Sequence, residues 1–459
     1  MQNGTIQLIA SKDCRLYNAL IFCERTCISF ASPSVRLAQL HPFPLAEPQP
    51  SNHPCHIRTD HSKSDLERCP EINLFIGYCS IIFSYELSNH SSVLLSQLIY
   101  IKMSDKKYKV LVAGCGHMGA SHARAYHSMD AFEIIGLVSR TPSSRNQVSD
   151  ELGGLPTFAS YKNALSETAP DIVSINTYPD THVDYVRMGL EANCHVFVEK
   201  PLAETDEEAQ ILVDLALKLN RKVVIGYILR VHPAWKKFIS VAQKLGKPLV
   251  MRMNLNQQSS GDQWETHRNL MNSMSPIVDC GVHYVDVMCQ MTRARPVAVS
   301  AIGARLSDEI APDMYNYGQL QVSFDDGSVG WYEAGWGPMM SETASFVKDV
   351  VGPLGSVSIV DEAKDQTDDI EGHTQTGGLK IHYSSRDEHG YFDREDVLID
   401  TSDEPTHDEL CALEQEFLLR AIQEDLDLTD HMQDAVSSLK IVLAADQAAR
   451  EQRTIRLDA

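Results

Sequence analysis

Residues 109–119 read KVLVAGCGHMG, and the glycines at 114, 116 and 119 give this stretch the chemistry of a nucleotide grip. A short apolar run at 110–113 reads as a strand that breaks into them just before a helix-like segment. Gly114 permits the tight turn out of the strand, Gly116 lets the main chain approach a pyrophosphate, and Gly119 lets the helix sit close to the sheet. The phosphates then meet the N–H groups of His117 and Met118 at the positive end of that helix. About 20 residues beyond the last glycine, a carboxylate would receive a free ribose 2′-hydroxyl. This chain has Ser139 and Arg140 there. A hydroxyl beside a guanidinium suits a 2′-phosphate, so NADP is the preferred cofactor, with NAD also possible.

Such a grip needs a parallel sheet behind it, and the following sequence supplies one. A helix over 117–129 is followed by buried strands at 133–138, 171–177, 195–201 and 222–227, with helical periodicity between them. Val183, Val186 and Leu190 share one helix face, and Thr205 with Glu208 has the spacing of a helix start. This alternation predicts an α/β fold with an N-terminal Rossmann dinucleotide-binding domain at 105–228. Ligands bind beyond the carboxyl ends of such strands, where Thr177, Pro179, His182, Glu199 and Lys200 fall.

From 229 to 459 the pattern changes to strands separated by turns, at 248–255, 296–306 and 317–336, with Asp326-Gly327 as a hairpin signal. We expect a C-terminal α+β domain for substrate binding and oligomerisation, with a large, mostly antiparallel or mixed sheet. Its uncovered face predicts a homodimer or homotetramer. Leu410, Leu413 and Phe417, then Ala435, Leu439 and Val442, mark two amphipathic helices that pack back on the core. Arg230 and His232 follow the last strand of the first domain, where they line the cleft or tie the domains together.

The chain has 459 residues, 43% of them apolar, and a net charge of -22. That charge disfavours nucleic acid and anionic membranes and leaves a small molecule as the expected partner. The first 104 residues differ from the rest. They hold six of the 11 cysteines and mix Pro-rich and apolar fragments without period. We expect a disordered extension or a start-site artefact there, since Met103 opens MSDKKYKVLV in the manner of a cytosolic dinucleotide-binding protein. The apolar segment at 72–85 is too short for a membrane span. Scattered cysteines without a CxxC pair fit a reducing, cytoplasmic location and no metal site.

GCGHMGASHARAY, the strand ending NTYPDTH, VEKP and GYILRVHP occur in order over residues 108–457, and in this the chain resembles the Gfo/Idh/MocA oxidoreductases, the group of glucose-fructose oxidoreductase and inositol dehydrogenase. The resemblance implies hydride transfer between a secondary alcohol of a sugar, inositol or related polyol and the nicotinamide. Lys200 then matches the lysine of the family's EKP segment, which contacts the substrate hydroxyl. Asp279 and His283, four apart on one helix face, match its D-x-x-x-H pattern. His283 is the implied proton acceptor, a task suited to an imidazole, and Asp279 orients the substrate or tunes His283. The family implied uses no metal. The chain departs from it at 273–276, where Ser-Met-Ser-Pro stands in place of glycines, which puts the pocket shape in question. A regulator that binds NAD(P) without turnover is the rival reading on the same scaffold.

Overall fold

The computed structural model describes residues 107–341, 347–360, 374 and 376–457. The expected extension at 1–104 and the acidic stretch at 361–371 lie outside them. The first sheet is built from β1 (Tyr108–Ala113), β2 (Phe132–Val138), β3 (Thr157–Phe158), β4 (Ile172–Ile175), β5 (His195–Glu199) and β6 (Val223–Gly226). Its order is β3-β2-β1-β4-β5-β6, and every pairing is parallel. Helices α1 (His117–Ser128), α2 (Pro142–Glu151), α3 (Tyr161–Thr168), α4 (His182–Glu191) and α5 (Asp206–Leu219) make the connections. All four residues of β4 and of β6 are buried, as expected of strands covered on both faces. The order reverses between β1 and β4, which opens a crevice at the carboxyl ends of those strands. Helix α5 starts where expected, with the Thr205 hydroxyl accepting the Glu208 N–H.

β4 stops two residues short of the predicted strand. Asn176 still donates its N–H to Ala113 O, but its side chain turns back on Ser174, and Thr177 bonds Thr181 through their hydroxyls.

The second layer follows α6 (Pro233–Ala242). Its sheet contains β7 (Val250–Gln258), β8 (Pro296–Ala304), β9 (Tyr317–Phe324), β10 (Val329–Gly337), β11 (Lys348–Gly352), β12 (Gly355–Val360), β13 (Gly378–Tyr383), β14 (Val397–Asp400) and β15 (Ile455–Arg456). The order is β14-β13-β12-β11-β7-β10-β9-β8-β15. Only β7 with β10 is parallel, so the sheet is mixed. The predicted strand at 317–336 is the β9–β10 hairpin, turned at Asp326-Gly327 with Gly327 at φ +82°.

Between β7 and β8 run α7 (Gly261–Leu270), α8 (Pro276–Asp279) and α9 (Gly281–Thr292). The chain closes with α10 (His407–Gln423) and α11 (Thr429–Glu451). The predicted apolar positions Leu410, Ala435, Leu439 and Val442 are buried. Helix α11 packs on β8 and α9 on one side and on α5 on the other, while α10 returns to cover α1. Among the described residues, no helix is long and apolar enough to cross a membrane.

Candidate active site

The glycine turn divides its roles cleanly. Gly114 sits at φ +96°, and a Cβ there would lie 2.2 Å from Asn176 O. A Cβ on Gly119 would lie 2.1 Å from Gly114 O, so both glycines are dictated by the contact of α1 with the sheet. A Cβ on Gly116 would meet no protein atom within 4 Å. The space over Gly116 is open cleft, and α1 begins there without a side-chain cap. That combination fits a pyrophosphate, which would take the helix N–H groups and occupy the room a side chain would fill.

A cleft of about 870 Å³ runs from this turn towards the second sheet. His117, Met118 and Gly116 line its start, Ser139 and Arg140 its β2 end, and Thr177 and Pro179 its middle. Glu199, Lys200, Asp279 and His283 line its far end. Gly119 and His182 are not on its walls. The His182 ring is buried, with nitrogens 2.7 Å from Pro201 O and 2.9 Å from Thr177 O, and ties the loops after β4 and β5 together. At the β2 end, Arg145 Nη1 donates to Ser139 O at 2.8 Å, holding the turn that presents Ser139 and the exposed Arg140. Among the described residues, no acid lines that end.

Lys200 and Asp279, 79 positions apart, meet at the far end. The Lys200 ammonium donates to Asp279 Oδ1 at 3.1 Å and to Asp279 O at 3.0 Å. The second bond depends on a break in the helix. Asp279 and His283 do not share a single helix as their spacing predicted, because α8 ends at Asp279 and α9 begins at Gly281. At the junction the His283 N–H goes to Cys280 O, a three-residue bond, and Asp279 O is turned to Lys200. His283 is buried against the edge of Tyr227, with ring centroids 5.8 Å apart.

Burial by itself would push the Lys200 ammonium towards neutrality. Asp279 above all, with Cys280 and Glu199, outweighs burial and holds the pKa above the ordinary lysine value. Lys200 is therefore a cation at neutral pH, a donor rather than a base. Glu199 accepts the Lys200 N–H at 3.2 Å and lies 2.7 Å from His122 Nε2. Burial raises its pKa, but the His122 contact and the Lys200 charge prevail and hold it below the usual carboxylate range. On the other ring nitrogen His122 accepts from Gln415 of α10 at 3.0 Å, which leaves the Nε2 proton for Glu199. Helix α10 thus braces the end of β5 through His122. Next to Gln415, burial and the Glu199 charge push the Glu414 carboxyl well above the usual carboxylate range.

Sequence reasoning missed the opposite wall. Gln257 of β7, Gln263, Thr266 and His267 of α7, and Trp336 of β10 all line the cleft. His267 stacks on Trp336 at 4.5 Å with nearly parallel rings and bonds Ser259 through Nδ1 at 2.9 Å. Trp336 donates to Gln257 Oε1 at 2.8 Å. The only sequence signal was the concentration of amide, hydroxyl and imidazole groups in GDQWETHRNL, which has no strong period. Arg230 proves to be a tie, bonded to Asp286 at 2.8 and 2.5 Å and to His431 at 2.8 Å, and His232 caps α6.

Residues 108–227 match an oxidoreductase family model with an NAD-binding Rossmann fold, and residues 237–357 match the GFO/IDH/MocA C-terminal domain. The chain is 28% identical to a UDP-N-acetylglucosamine 3-dehydrogenase of Acidithiobacillus ferrooxidans, over 42% of this chain and 56% of that one. It is 25% identical to a scyllo-inositol 2-dehydrogenase (NAD(+)) of Bacillus subtilis, over 56% of this chain and 74% of the relative. The chain thus spans little more than half of the first relative and about three quarters of the second. Its fold is similar to the crystal structure of scyllo-inositol dehydrogenase from Lactobacillus casei with NAD(H) and scyllo-inositol, with a TM-score of 0.61, 18% identity, and coverage of 76% of this chain and 99% of that one. With residues 108–227 and 237–357 matched in order by the family's two domain models, the chain belongs to the Gfo/Idh/MocA oxidoreductases.

Proposed function

We propose that this protein is an NADP-preferring oxidoreductase that interconverts a secondary alcohol and a ketone on a sugar, inositol or related polyol. The observation that carries this reading is the pairing of Lys200, just after β5 of the first sheet, with Asp279 at the end of α8, in the same cleft as the open Gly116 turn and His283. When bound, the nicotinamide supplies the hydride acceptor. The chain's own residues do the rest. Lys200, kept charged by Asp279, donates to the substrate oxygen and stabilises the negative charge that develops as its proton leaves. His283 takes that proton, and Asp279 holds the ammonium in place through two of its oxygens. The choice of NADP rests on Ser139 and Arg140 without an opposing acid.

Self-association into a dimer or tetramer belongs to the same reading. Val329, Val250 and Val351 are cross-strand neighbours on one face of the second sheet and are 44%, 41% and 38% exposed. Covering that row with a second copy would remove apolar surface from water.

His283→Ala tests the assignment. Turnover of the best polyol with NADP should fall roughly 10²- to 10⁴-fold while cofactor affinity persists. Unchanged turnover would take His283 out of the reaction.

A further inference from the structure

The charges at the substrate end of the cleft point to one class of substrate. Among the described residues lining the cleft, the lysines and arginines are Lys200 and Arg140. Arg140 stands at the β2 end, with the cofactor grip. Lys200 is committed to Asp279, with the Glu199 carboxylate next to it. The nearest arginine on α7, Arg268, turns to Glu309 at 2.9 Å. Beside Trp336 and the apolar Leu255 and Leu270, the described residues of the facing wall offer neutral polar groups: Gln257 and Gln263 amides, the Thr266 hydroxyl and the His267 imidazole. Burial lowers the His267 pKa to about 4, so it stays neutral at working pH.

We propose that this cleft takes an uncharged polyhydroxylated substrate and rejects counterparts bearing a carboxylate or phosphate, with Gln257, Gln263, Thr266 and His267 as partners for hydroxyls beyond the reacting one. This rests on the oxidoreductase reading and narrows its substrate. Amide, hydroxyl and imidazole groups both donate and accept, which matches a ring of hydroxyls. An anion entering the same space leaves water for a wall with no uncommitted cation and meets the carboxylates of Asp279 and Glu199. Trp336 and His267 form a flat stacked pair against Gln257, so this wall is held rigidly, and among the described residues lining it there is no lysine or arginine to swing onto an anion.

The test uses the full chain with NADP. Cofactor binding is first verified by NADPH fluorescence, and kcat/KM is then measured for the pairs glucose with glucuronate and myo-inositol with myo-inositol 1-phosphate, at low and high salt. The neutral member should win by on the order of 10²-fold, and the preference should survive high salt because it is set by contact desolvation. Thr266→Lys should narrow it roughly tenfold by raising the rate with the anion. An anionic member used as well as its neutral partner would overturn the proposal. So would a preference that vanishes in salt, since that would trace it to long-range repulsion by the -22 charge of the chain. Cofactor binding with no oxidation of either member of any pair would instead refute the oxidoreductase reading, and this inference with it.

Discussion

Asp279→Asn isolates one charge at the centre of the site while keeping the shape of the side chain. Asp279 Oδ1 stands 3.1 Å from Lys200 Nζ. At an effective dielectric of about 20, two unit charges at that distance attract by roughly 5 kcal/mol. The two side chains keep 18% and 13% of their exposure, and Asp279 O and Glu199 remain to support the ammonium. A realistic loss is therefore about 2–3 kcal/mol. In the wild type the Lys200 pKa is raised, so its charge is complete at neutral pH and is lost only as pH rises through that raised value. In the variant burial acts with less opposition, and the charge should be lost at lower pH than in the wild type. The assay is the pH profile of kcat/KM for NADP-linked polyol oxidation. The alkaline fall in rate should begin at lower pH in the variant than in the wild type, so that the variant's deficit grows by roughly 10-fold with rising pH beyond any constant offset. Parallel profiles, offset by one factor at every pH, would mean that Asp279 does not tune Lys200 and would refute the reasoning.

Three further outcomes follow from other parts of the structure. Arg140→Asp should lower the affinity ratio of NADP to NAD by ~10- to 100-fold in equilibrium titrations, and an unchanged ratio would place the 2′-phosphate elsewhere. His122→Ala strips the buried Glu199 carboxylate of its neighbour at 2.7 Å, at a cost of about 3 kcal/mol, so thermal scans should show a drop of roughly 6–10 °C. The exposed His127→Ala on the same helix is the control, and an equally small shift in both would show that the buried pair contributes nothing. Acid should weaken the fold through His267. Its folded pKa of about 4 lies below the ordinary 6.5, so between those values the unfolded chain binds a proton that the folded one excludes. Stability present above pH 6.5 should thus decline by up to about 3 kcal/mol as pH falls to 4, and urea titrations of His267→Phe should show a shallower decline.

Five of the six parallel strands of the first layer could be read directly because they are largely buried and so appear as apolar runs between turns, whereas β3, two residues long and not buried, could not. The hairpin at Asp326-Gly327 and the buried stripes of α10 and α11 were visible for the same local reason. Other features had no local trace. The α7 wall is polar with little periodicity. The position of His182 in the first turn of α4 does not reveal that its ring is sealed between two loops. The interruption at Cys280 was hidden because residues 276–283 carry a continuous helical pattern around the Pro276 start.

What the amino-acid order determined alone was the phosphate turn, the alternation of strands and helices, and the residue types available for proton and charge transfer, all properties of neighbours in the chain. Tertiary structure decided which of them meet. Lys200 reaches Asp279 across 79 residues only because α8 is brought against the end of β5, and Gln415 steadies His122 only because α10 returns to the first layer. Hydrogen bonds and charges act over a few ångströms of space, and distance along the sequence says little about that separation.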